Sequence, residues 1–249
     1  MRMHKNIVLG LVLLLWQTSI CAAEITVAAA SSLTDAFKVI AQDFEKKYPK
    51  TKVNLTFASS GILLQQLRHG APIDVFATAD QQTMNEAQAL SLIQNQTRVN
   101  FTSNQLVLIA PKNSTLKIQN LIDLNQASIK RIAIGNPAYT PAGRYAQAVL
   151  EKQNLWNPVQ SKLIKTQNVR HALDYVARSE TQLGFVFSSD VLNQANKVKV
   201  VMNVPTLEPI QYPIAITKNT TNKLEADQFL KYVQSGAGKQ VLQRYGFKP

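Results

Sequence analysis

Cysteine is almost missing from this chain: the 249 residues hold one, Cys21. No intrachain disulfide can form, so stability has to come from an apolar core and not from covalent staples. Histidine is nearly as scarce, at three residues. His4 lies in an N-terminal apolar leader, and His69 and His171 stand alone on predicted helices without metal-ligand spacing. For His171 a surface or packing role is expected. A Gly-x-Ser-x-Gly elbow, a phosphate-loop motif and a catalytic cysteine are also lacking, which removes the commoner hydrolase and nucleotide-dependent classes. There are no repeats, no low-complexity tract and no Gly/Ser-rich hinge. Beyond the leader, no apolar run comes near the length needed to span a bilayer, and no stable membrane insertion is expected.

The leader itself is informative. Arg2 and Lys5 form a basic start, Ile7 to Trp16 a short apolar run, and Cys21-Ala22-Ala23 a small-residue end. This is the pattern of a signal peptide over residues 1–23, cut after Ala23, with export to the periplasm. A lipoprotein cut before Cys21 is disfavoured because Ile20 is bulky where such a site needs a small residue. Cleavage removes the single cysteine and takes the formal charge from +12 to +10 with the loss of Arg2 and Lys5. The remaining Lys and Arg residues are scattered, without a dense run or interleaved aromatic stripe, so nucleic acid is not an expected partner. A solvated basic surface is expected, with some attraction of anions to a cleft.

From Glu24 onward, short β-rich runs alternate with amphipathic helical stretches. Ile25 to Ala30 reads as a buried strand, and Leu33, Phe37, Ile40, Ala41 and Phe44 then recur at helical spacing before Pro49. Lys52–Ala58, Ile73–Thr78, Leu106–Ala110, Arg131–Ile134, Leu183–Phe187, Val198–Met202 and Tyr212–Thr217 read as further strands, and helices are expected between most of them and over 222–234 and 238–245. The rhythm implies an α/β fold with mainly parallel sheets flanked by helices. Because the pattern restarts after residue 105, two lobes are expected. Lobe I comprises 24–104 and 213–249, and lobe II comprises 105–212.

Four strand-to-helix junctions are notable: Ala30-Ser31-Ser32-Leu33-Thr34-Asp35, Ala58-Ser59-Ser60-Gly61, Thr140-Pro141-Ala142-Gly143 and Gln167-Asn168-Val169-Arg170. A helix N-terminus offers free N–H groups and the positive end of the helix dipole, which suits an anion. Serine hydroxyls add donors, and Gly61 and Gly143 are expected to let a ligand approach the backbone. Taken singly, each junction reads equally as an ordinary capped helix. Asp35 stands at a capping-box position and is expected to cap its own helix. No tip offers an inward carboxylate, so the set favours fully ionised oxyanions (molybdate, tungstate, sulfate) over phosphate, which keeps a proton near neutrality.

At these residues the chain resembles the molybdate-binding proteins of bacterial ABC importers. The similarity runs through Ala28–Leu33, Phe57–Ser60, Gly70–Asp80, Pro141–Ala146, Asn168–Arg170, Leu183-Gly184, Ser189-Asp190 and Arg244–Phe247. It implies a two-lobed periplasmic binding protein of type II, with crossing strands near Leu106 and Ile214, closing like a flytrap on its ligand. It further implies ligation by Ser32 and Ser60 through hydroxyl and N–H, and by the backbone N–H groups of Ala142 and Val169. Many members carry a ligand-binding tyrosine where this chain has Phe187, so either the site makes one hydrogen bond fewer or another group such as Tyr139 supplies it. The implied protein is a monomer without enzymatic activity or cofactor, binding no bare metal cation, that delivers molybdate or tungstate to an ABC permease and its ATPase. Sulfate or chromate is the alternative ligand. A periplasmic enzyme would need a nucleophile, metal or acid/base pair that is not found, and a regulator's effector domain would not carry a leader.

Overall fold

The computed structural model describes residues 23–248, so the expected signal peptide lies outside the described residues apart from Ala23. In chain order come β1 (Ala23–Ala30), α1 (Thr34–Lys47), β2 (Thr51–Ala58), α2 (Ser60–Arg68), β3 (Val75–Ala77), α3 (Gln81–Ala89) and β4 (Val99–Asn104). β5 (Leu106–Pro111), β6 (Ile132–Gly135), α4 (Pro141–Lys152), α5 (Trp156–Val159), β7 (Leu163–Thr166), α6 (Val169–Ala177), β8 (Leu183–Phe187), α7 (Ser188–Val191) and β9 (Val198–Val204) follow. Last are β10 (Ile210–Ile216), α8 (Lys223–Gln234) and α9 (Gly236–Arg244).

The strands form two five-stranded sheets, ordered β2-β1-β3-β10-β4 and β7-β6-β8-β5-β9. Both follow one plan. In the first, β1 runs parallel to β2 and β3, while β10 is antiparallel to β3 and β4. In the second, β6 is parallel to β7 and β8, while β5 is antiparallel to β8 and β9. The chain passes between the sheets at Gln105 and again through residues 205–209. β10 begins at Ile210, so the lobe boundary expected after residue 212 falls inside a strand of the first sheet.

Burial on both faces explains the near-continuous apolar strands. Ile25, Val27 and Ala29 of β1 point into the large core with Phe37, Phe44 and Phe229. Ala28 points the other way, into a smaller core with Leu63, Phe76 and Met84. Phe229 meets Phe44 and Phe37 edge-on at 5.3 and 6.1 Å, locking α8 onto α1. Among the described residues no helix is long and apolar enough to cross a membrane.

Two features sit where the sheets meet. The β10–β4 register shifts between Tyr212 and Pro213, the natural place for a residue with no N–H to donate. Phe247 packs against the Tyr212 ring at 5.4 Å, and Lys248 bridges to Ser103 of β4. The start of α4 is pressed against the end of β6, and a Cβ on Gly143 would lie 1.9 Å from the Gly135 carbonyl oxygen. Gly143 is thus a packing glycine, which seats α4 and leaves no room there for ligand approach.

Gly143→Ala should therefore force α4 off β6 and destabilise the protein by about 1–3 kcal/mol. Gly236→Ala, where a Cβ meets nothing within 4 Å, is the control and should leave stability nearly unchanged. Urea unfolding of both variants checks this; equal midpoints would show that the helix start can shift freely.

Candidate functional site

The four junctions converge. Ala30 to Ser32 at the end of β1, Ser59 and Ser60 after β2, Thr140 to Ala142 at the start of α4, Val169 at the start of α6, and Phe187 at the end of β8 line one small pocket, with Ala79 beside them. The space is small, about 10 Å³ and room for about one water molecule. Ser32, Ser60, Ala142, Val169 and Phe187 are all on its wall, as a shared site requires. Tyr139 is not. Its backbone carbonyl instead accepts from the Gly61 N–H at 2.9 Å, joining α2 to the loop before α4. A Cβ on Gly61 would lie 2.8 Å from Tyr139, so this glycine admits the facing backbone, where ligand approach was expected.

The helix starts are unusually bare. No side chain caps the 3₁₀ turn at Ser31–Leu33, nor α2, nor α4, although Ser59 and Thr140 occupy N-cap positions. The Thr140 hydroxyl donates to the Asn136 carbonyl, away from its own helix. Pro141 has no N–H, so Ala142 supplies the first available donor of α4. On α6, Asn168 caps the His171 N–H at 3.0 Å and leaves that of Val169 without an intrahelical partner. Ser60 Oγ accepts from the Ala79 N–H at 3.1 Å, which leaves the Ser60 proton available to the cavity. Ser59 Oγ is buried with no hydrogen-bond partner among the described residues. An unpartnered hydroxyl costs stability unless something occupies the cavity.

No residue of the wall carries a formal charge. The charges stand just outside, in pairs that join the two sheets' elements. Arg144 of α4 reaches Asp80 through Nε at 2.9 Å and Thr83 Oγ1 through Nη2 at 2.8 Å. Arg170 of α6 pairs with Asp35 of α1 at 2.8 Å and donates to the Ser32 carbonyl at 3.3 Å. Asp35 was expected to serve its own helix; its carboxylate reaches across to the second half. Arg170 Nε also lies 2.9 Å from Asp190 Oδ1, yet neither atom has a hydrogen bond, so the contact is ionic and poorly aligned. Asp190 Oδ2 accepts from the Phe187 N–H at 3.1 Å. Burial pushes the Asp190 carboxyl up to about 6, against the opposing pull of Arg170 and that N–H.

Two residues escaped the sequence reading. The Tyr212 hydroxyl lies 3.0 Å from Ser32 Oγ, and Asn104 Nδ2 donates to it at 3.2 Å. Phe187 stacks edge-on against Tyr212 at 5.8 Å. Each belongs to a segment that crosses between sheets, and the dipeptide Tyr212-Pro213 inside a strand was the available signal. His69 and His171 are exposed, and no group of three metal-ligating side chains occurs among the described residues.

The chain is similar to known proteins over nearly its whole described length. The bacterial extracellular solute-binding protein family matches residues 25–248. The molybdate-binding protein ModA of Haemophilus influenzae is 38% identical over 230 residues, covering 91% of this chain and 90% of its own length. That of Escherichia coli is 36% identical, covering 90% and 88%. The fold is shared with the periplasmic molybdate-binding protein of Azotobacter vinelandii at a TM-score of 0.81 and 24% identity, covering 90% of this chain and 99% of that one. It is shared equally with the sulfate-binding protein SubI of Mycobacterium tuberculosis at 0.82 and 13% identity, covering 91% and 87%.

The Asp190 shift has a sign that can be measured. The unfolded chain binds this proton near the ordinary value of 3.8 and the folded protein near 6, so between them the folded state holds more protons and stability falls as pH rises. Asp190→Asn removes the titration at nearly constant size. The stability of wild type relative to this variant should drop by about 2 kcal/mol between pH 4 and pH 7. Urea unfolding across that range checks it; a constant difference would mean an unshifted carboxyl.

Proposed function

The chain belongs to the bacterial extracellular solute-binding protein family, and from that membership we propose that it captures molybdate, and tungstate of the same shape and charge, for an ABC importer. One observation carries the choice of ligand class: a small pocket walled by helix starts and serines, with donors in excess and no charged side chain. Such a wall suits a tetrahedral dianion that carries no proton. Neutral donors can hold a dianion because each bond is charge-assisted and the helix dipoles point inward. The ligand contacts assigned are the hydroxyl and N–H of Ser32 and Ser60 and the N–H groups of Ala142 and Val169. Phe187 offers shape only, and the unpartnered Ser59 hydroxyl is the better candidate for the donor that a tyrosine there would supply.

The two lobes, divided at Gln105 and again within residues 205–209, would close on the anion as a monomer and present it to the permease, with its ATPase supplying the energy. The role is capture and delivery, without chemistry on the ligand or a cofactor. Sulfate is the second reading, because a sulfate-binding protein shares the fold as well as a molybdate-binding one does. The location proposed is the periplasm, after cleavage behind Ala23.

Calorimetric titration with molybdate, tungstate, sulfate and phosphate tests the ligand: tight binding of the first two is expected, and a preference for sulfate or phosphate would overturn it. Each charge-assisted bond contributes roughly 1.5–3 kcal/mol, so Ser32→Ala and Ser60→Ala should each weaken molybdate about ten- to a hundredfold. The unliganded melting temperature should fall by about 2–8 °C in each, because Ser60→Ala leaves the buried Ala79 N–H without its acceptor and Ser32→Ala does the same to the Tyr212 hydroxyl.

Mass spectrometry of the exported protein should find a chain beginning at Glu24. An acylated Cys21 or an intact leader would refute the cleavage.

A further inference from the structure

We propose that Tyr212 is a positioning residue: held by Asn104, it turns the Ser32 hydroxyl into a fixed donor aimed at the ligand. The proposal rests on the oxyanion reading and adds two residues to it. The direction of each hydrogen bond follows from one group that cannot reverse. The backbone N–H of Gln105 can only donate, and it lies 2.9 Å from one side-chain atom of Asn104, which is therefore the oxygen. The Ser188 hydroxyl donates to that same oxygen at 2.9 Å.

The Asn104 amide is thereby oriented, and its NH₂ group faces inward. It donates to Ser189 Oγ at 2.9 Å and to the Tyr212 hydroxyl oxygen at 3.2 Å. Tyr212 has one proton, and its oxygen already accepts from Asn104. The remaining partner is Ser32 Oγ at 3.0 Å, so the phenol donates there. Ser32 Oγ becomes the acceptor in that contact, and its own proton has no other partner among the described residues than what enters the cavity. Full burial and the nearby Asp190 charge hold the Tyr212 pKa well above its ordinary range, so the phenol keeps the proton it donates.

The relay begins where the chain crosses between the sheets. Gln105 is the one-residue link from β4 to β5, Asn104 ends β4, and Tyr212 lies in β10 just past the other crossing. The Phe187 ring, 5.8 Å away, packs against Tyr212 and keeps it dry. Three hydrogen bonds thus connect the hinge backbone to a ligand donor, each polarising the next. Ser60 reaches the same donor state by a shorter route, through the Ala79 N–H.

The test is a double-mutant cycle of Tyr212→Phe and Ser32→Ala, with molybdate affinity as the readout and unliganded melting as the control. Tyr212→Phe removes only the hydroxyl and should weaken molybdate about tenfold. In the Ser32→Ala background the same change should matter less than twofold, because the relay then has no end. Additive losses, or an unaltered affinity in Tyr212→Phe, would overturn the relay while leaving the oxyanion reading intact. Absence of binding to any oxyanion in wild type would instead remove the reading beneath it. Should Tyr212→Phe fail to fold, NMR of the wild-type hydroxyl protons decides. A slowly exchanging Tyr212 proton directed at Ser32 supports the relay, and a Ser32 proton directed at Tyr212 refutes it.

Discussion

A helix that begins inside a protein carries N–H groups that its own backbone cannot satisfy, and most proteins satisfy them with a side-chain cap. Here several such starts are buried around one cavity, and residues of the capping types decline to cap. Ser59 sits in the N-cap position with its hydroxyl unpartnered, and Thr140 spends its hydroxyl on Asn136. That imbalance is the constraint to which the rest answers. It is relieved if an acceptor arrives from outside, and a tetrahedral oxyanion brings four oxygens to a space whose polar groups are mainly donors. The packing around it keeps these starts in register: Gly143 seats α4 on β6, and Gly61 lets the Tyr139 carbonyl come to α2.

Full charges are kept at one remove. Arg170 and Arg144 do not touch the cavity, but each pairs with an acid from the other half of the molecule. A guanidinium in the wall would bind any anion strongly and discriminate little, whereas directed N–H and O–H groups reward shape and protonation state. Placed outside, the arginines still offset the negative charge of the site and tie the halves together. Asp190 shows the tension in the arrangement. It is fully buried, faces Arg170 at a poor angle, and holds its proton more tightly than an exposed carboxyl does.

Much of the frame was legible from periodicity. The parallel strands, the amphipathic helices after them and the restart after residue 105 are local patterns, and they appear as two sheets of one plan. β4 was not legible, because Asn100, Thr102 and Asn104 give it a polar character whose partners lie far along the chain. Thr102 bonds the Lys248 carbonyl, and Asn104 bonds Tyr212. Four helix starts could be read as anion-suited, but each read equally as a capped helix until their convergence was visible. Asp35 looked like a capping residue because its spacing fits that role, and only the fold brings Arg170 to it. Tyr212 left no trace in spacing at all; its part depends on a bulge at Pro213 and a crossing strand.

The donors are divided between the halves: Ser32 and Ser60 hang from the first sheet, Ala142 and Val169 from the second. An anion resting on either half alone would find only part of its partners, so first encounter and final grip are separate events. Capture can be fast and undemanding, set by diffusion to an open surface. If the halves close as proposed, escape requires the Gly61–Tyr139 contact and both arginine pairs to part together. Residence time, more than encounter rate, would then be the quantity this architecture controls.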